Sequence, residues 1–138
     1  MRSLLAIVAG SVFNVVAILL FQLAYIFIAV GYNALAVNFP FLNDIAGLFR
    51  YLIGIPVLIV TMFAGGFITA TIADVRSNIK VLSYCLVVGG VTAGGMMYSA
   101  MEKADITLTG IVVTVLALSA SSAGGLYWLR SNKPVSEH

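Results

Sequence analysis

Four stretches of this chain run for more than twenty residues without an aspartate, glutamate, lysine or arginine: about Leu4 to Val30, Tyr51 to Ala73, Val81 to Met101 and Ile106 to Leu129. Crossing the hydrocarbon core of a bilayer, about 30 Å, takes roughly 20 apolar residues at the helical rise. Each stretch is long enough. Inside hydrocarbon the backbone donors and acceptors have no water to bond, so each segment must satisfy its own, and the ten-residue alternating pattern of a barrel strand is absent. The expected fold is an all-α membrane protein, a bundle of four transmembrane helices forming one domain over 1–138, with an apolar external loop over 31–50.

Composition agrees with that reading. Only 9% of the side chains are charged and the mean hydropathy is +1.11, against about 25% charged residues in a soluble domain. Such a chain cannot clothe its own surface in polar groups, so membrane lipid or partner protein is expected around most of its perimeter. A net charge of +2 gives no footing for nucleic acid.

The cations set orientation. Arg2, Arg76, Lys80, Arg130 and Lys133 flank one side of the four segments, and only Arg50 and Lys103 flank the other. Positive residues are retained in the cytoplasm, so both termini and the 74–80 turn are expected there. Asp44, Glu102 and Asp105 then lie outside, and Asp74 and Glu137 inside. Met1-Arg2-Ser3 and the triplet Ala34-Leu35-Ala36 imitate a cleavable signal peptide, but a signal's apolar region is about 7 to 15 residues long. Leu4 to Val30 exceeds that and is expected to remain as a membrane helix.

Short connections at Asp74 to Lys80 and Glu102 to Asp105 imply two helical hairpins with antiparallel neighbours. The 31–50 connection is longer and carries Tyr32, Phe39, Pro40, Phe41 and Phe49. These residues suit an aromatic belt at the headgroups. Asn43 or Asp44 can cap a helix from Ile45 that lies flat or continues into the second span. Pro56 withholds a backbone donor inside that span and is expected to kink it.

A weak internal echo links the hairpins. Ala64-Gly65-Gly66 precedes Arg76-Ser77-Asn78, and Ala123-Gly124-Gly125 precedes Arg130-Ser131-Asn132. If the two halves are related, their symmetry axis runs along the membrane normal.

Lipid tails are as apolar as leucine, so membrane helices associate through close packing, and residues without bulk let backbones approach. Gly65 and Gly66, Gly90 and Gly94, and Gly124 and Gly125 are the expected helix-packing positions, with Thr61, Thr69 and the run Ser119 to Ala123 beside them. The first helix differs. Its apolar run contains the amides Asn14 and Gln22, which with Ser11, Ile18 and Tyr25 make a stripe that should face protein or water, because an unpaired amide in hydrocarbon is costly.

The missing groups narrow the function. No acidic or basic residue lies within a span for proton coupling, and no internal histidine or buried carboxylate can activate the serines and threonines. Cys85 is the only cysteine and His138 the only histidine, so no cofactor or metal site is expected. The leading expectation is a non-catalytic helix-packing subunit or self-associating membrane module of a bacterial inner membrane, acting as a homo-oligomer or with a membrane-protein partner. The alternatives are an oligomeric channel or facilitator for a small neutral or weakly polar solute along Asn14 and Gln22, and a lipid- or quinone-binding protein using Phe39 and Phe41.

Overall fold

The computed structural model describes residues 1–101 and 108–132. Glu102, Lys103, Asp105, Lys133, Glu137 and His138 lie outside the described residues. Among the described residues the regular structure is all helical: α1 Arg2–Ala36, α2 Leu42–Ala73, α3 Asn78–Met101 and α4 Leu108–Ser131. All four are long and apolar enough to cross a membrane, as in a multi-pass membrane protein.

The first two helices are longer than the apolar runs imply. α1 has 35 residues and α2 has 32, about 52 and 48 Å at the helical rise. Most of the expected 31–50 loop is therefore helix, and only 37–41 connects the two. Ala34, Leu35 and Ala36 are good helix formers and carry α1 onward. The break comes where Pro40 has no N–H to offer. Turn bonds close it, from Asn38 N to Leu35 O at 3.0 Å, from Leu42 N to Phe39 O at 3.0 Å and from Asn43 N to Pro40 O at 3.1 Å. The Tyr32 hydroxyl donates to the Leu42 carbonyl and ties the end of α1 to the start of α2. Phe39 and Phe41 meet edge to face at 6.1 Å on the exposed turn.

Pro56 sits within α2 and leaves the Leu52 carbonyl without its usual donor. α2 ends at Asp74, whose φ of 48° and ψ of 40° place it in the left-handed region. That conformation turns the chain sharply while the Asp74 N–H still reaches the Ala70 carbonyl at 3.1 Å.

α2 packs most extensively on α4. α1 lies on α2, α3 lies on α4, and α3 also touches α1 and α2, whereas α1 and α4 do not meet among the described residues. Around the bundle the order is α1, α2, α4, α3. α1 and α3 run parallel, as Ser3 to Tyr84 and Asn14 to Thr92 both pair across them.

Little bulk is buried. One apolar cluster holds Ala70, Val81, Cys85, Trp128 and Leu129, and a second holds Met62, Ala117 and Ala120, with Ile18, Leu58 and Met96 against it. The large residues Leu4, Leu19, Leu20, Phe27, Val91 and Val115 point outward. This is the distribution a hydrocarbon surround allows, because such side chains lose nothing by facing it. The buried seam of α1 is small instead, running Ala6, Gly10, Asn14 at intervals of one turn. α3 also buries small residues, Cys85, Gly89 and Ala93, with Cys85 and Gly89 turned toward α4. Several hydroxyls in the spans are satisfied locally, with Thr69 donating to Gly65 O, Thr92 to Val88 O and Thr114 to Gly110 O, each one turn back.

Candidate functional site

The centre of the bundle is built on two glycine pairs. Successive helical residues point about 100° apart, so a Gly-Gly pair can face two neighbours at once. Gly65 faces α1, where a Cβ would strike the Asn14 amide, and Gly66 faces α4, where a Cβ would overlap the carbonyl oxygen of Ser121. In α4 the roles repeat. A Cβ on Gly124 would overlap the carbonyl oxygen of Phe63 in α2, and one on Gly125 would strike Cys85 in α3.

The α2–α4 contact is therefore reciprocal, with Gly66 against Ser121 and Gly124 against Phe63. Each carbonyl oxygen lies where the glycine Cα–H points, a weak hydrogen-bond geometry worth about 0.5–1 kcal/mol. The local two-fold matches Gly66 to Gly124, one residue away from the Gly65-to-Gly124 register of the sequence echo. Two further bonds fasten α3 to this centre. Ser121 Oγ donates to Cys85 O at 2.9 Å, and Cys85 Sγ lies 3.6 Å from Gly66 O.

Asn14 is wholly buried. Its Nδ2 donates to Thr92 Oγ1 at 3.3 Å and approaches Met62 Sδ at 3.5 Å. Thr92 can accept because its own proton goes to Val88 O. Among the described residues Asn14 Oδ1 has no conventional donor, and the buried Ser11 Oγ has no partner. The oxygen of Asn14 instead lies against Gly65. The node thus joins α1, α2 and α3 at one level.

The rest of the α1 stripe parts company with Asn14. Ile18 packs on the second core cluster. Gln22 and Tyr25 line a cleft of about 560 Å3, together with Tyr51 and Gly54 of α2, Met96 of α3 and Val113 of α4. Gln22 is exposed there and makes no hydrogen bond to a described residue. The sequence grouped Asn14 and Gln22 on one face, yet the bundle buries the first and opens at the second, because α1 and α4 stand apart.

Gly90 and Gly94 lie elsewhere. Both are exposed on the outer side of α3, and nothing comes within 4 Å of a Cβ built on either. The inward α3 glycine is Gly89, against Leu118 and Ser121. Gly10 is a second packing glycine outside the expected set, pressed against Thr69 and the Gly65 carbonyl. Its signal was Ala6 and Gly10 one turn apart. Among the described residues, no three histidine, cysteine, aspartate or glutamate side chains gather as metal ligands.

No family model, curated protein or solved structure matches this chain.

Proposed function

We propose that this chain is a non-catalytic membrane module that works by packing against another membrane helix, in the first instance that of a second copy, through the outer face of α3. The observation that carries this reading is the orientation of Gly90 and Gly94. Four glycines of α2 and α4 are consumed in holding the bundle together, whereas these two are one turn apart, exposed and uncontacted. In hydrocarbon such a pair lets a second backbone approach closely, and close approach is the main source of helix affinity there.

The bundle is read as two hairpins in a bacterial inner membrane with both termini in the cytoplasm, following the five-to-two division of Lys and Arg between its sides. Tagged protein extracted from its native membrane in mild detergent is expected to bring down a second, differently tagged copy in a fixed ratio. Recovery of the bare monomer in several detergents contradicts the proposal.

The solute-path reading has less support. Asn14 is fully buried and bonded across three helices, so a path along it requires that layer to open.

A further inference from the structure

We propose that the cleft beside Gln22 is a binding site for one neutral, membrane-soluble amphiphile with a carbonyl or hydroxyl head. Protein interiors close-pack, and ligand sites occupy about 300–1,000 Å3 with mostly apolar walls and a few polar groups. The cleft, at about 560 Å3, has that size and lining. All four helices contribute to it, so it is a feature of the assembled bundle.

Its chemistry is sided. Gln22, Tyr25 and Tyr51 bring one amide and two phenols, whereas Leu58, Met96 and Val113 are apolar. The Gln22 amide has no described hydrogen-bond partner. An amide that faces hydrocarbon without a partner is costly, and a ligand carbonyl or hydroxyl would relieve that cost. None of the described lining residues is charged. A phosphate or carboxylate held here would stay unpaired in hydrocarbon, and this selects a neutral head.

The site also has room along the helix. Tyr25 is shared with a smaller hollow of about 100 Å3 that continues past Ala29 to Tyr32, Asn33 and Ala46. From Gln22 to Asn33 the rise along α1 is about 16 Å. A ligand can therefore enter along the groove between α1 and α2, its head at Gln22 and its apolar part against Leu58, Met96 and Val113.

Gly54 supplies the decisive variant. It lines the cleft, yet nothing lies within 4 Å of a Cβ built on it. Gly54→Phe fills the cleft without displacing backbone, and Gly54→Leu serves if the ring prevents folding. Gly31→Phe is the control, equally open on α1 and outside the cleft lining.

The protein in detergent is titrated with decylubiquinone, monoolein and oleate, and complexes are counted by native mass spectrometry beside the shift in melting temperature. Saturable one-to-one binding of either neutral probe is expected, and which of them binds tells a carbonyl ring from a hydroxyl-bearing acyl chain. Gln22→Leu should weaken binding about tenfold, the loss of one hydrogen bond, Gly54→Phe should abolish it with the melting temperature of the free protein kept, and Gly31→Phe should leave it intact. The inference is overturned if neither neutral probe saturates, if Gly54→Phe binds as the wild type does, or if oleate binds as tightly as they do.

Discussion

The carboxamide oxygen of Asn14 rests against the α-carbon side of Gly65 on the neighbouring helix, with no N–H or O–H group of the described residues donating to it. The amide's nitrogen carries the conventional bond, to Thr92. Thr92→Val keeps the side-chain shape and removes the acceptor. Cross-helix bonds of this kind average about 0.6 kcal/mol and reach about 1.7 kcal/mol. Reversible unfolding in bicelles should place the loss in that range. A loss of several kcal/mol would mean that the node does more than join three helices.

Gly66→Ala and Gly124→Ala should each destabilise the bundle by about 1–3 kcal/mol, the usual cost of overpacking. The added methyl meets a backbone carbonyl, of Ser121 or Phe63, and no rotamer change can move it aside. Gly54→Ala and Gly31→Ala meet open space, and there the better helix propensity of alanine should stabilise by up to about 1 kcal/mol. The same unfolding assay, run on the four variants, should separate them into two pairs of opposite sign.

Asp74 ends α2 with φ at 48°, a conformation that costs an ordinary L-residue roughly 1–2 kcal/mol and glycine almost nothing. Asp74→Gly should therefore raise stability by about 0.5–1 kcal/mol and Asp74→Ala should lower it. Thermal unfolding of the two variants, compared with the wild type, tests the turn directly.

Tyr32→Phe deletes the hydroxyl that binds the Leu42 carbonyl. Amide exchange at Leu42 and Asn43, whose N–H groups close the turn onto Phe39 and Pro40, should accelerate at least several-fold. Global stability should change by only about 1 kcal/mol, one net hydrogen bond. Unchanged exchange at these amides would show that the two helix ends are held by other contacts.

The four spans were legible in the sequence because hydrocarbon thickness imposes a length and forbids charge, and both can be counted. The ends were less legible. Apolar length marks where a helix enters lipid, but α1 runs past Val30 and α2 starts before Tyr51 because helix continuation is decided by backbone bonding, up to the break at Pro40. Glycine positions were visible as candidates, but their direction was not. Gly89 and Gly90 are adjacent and chemically identical, and only the rotation of α3 in the bundle turns one toward Ser121 and the other away. Likewise Asn14 and Gln22 share a face in sequence, and the divergence of α1 from α4 separates a buried node from an open cleft. Spacing specifies which residues align on one helix, and the tilt between helices decides what that line meets.

Gly90 and Gly94 are the proposed contact surface for a second copy. Donor- and acceptor-labelled copies reconstituted in liposomes at high lipid dilution measure this by energy transfer. The wild type should show transfer that persists on dilution, and Gly90→Leu with Gly94→Leu should abolish it while far-ultraviolet circular dichroism and unfolding stay unchanged. Transfer that fades with dilution in the wild type, or that survives both leucines, would contradict the proposed role.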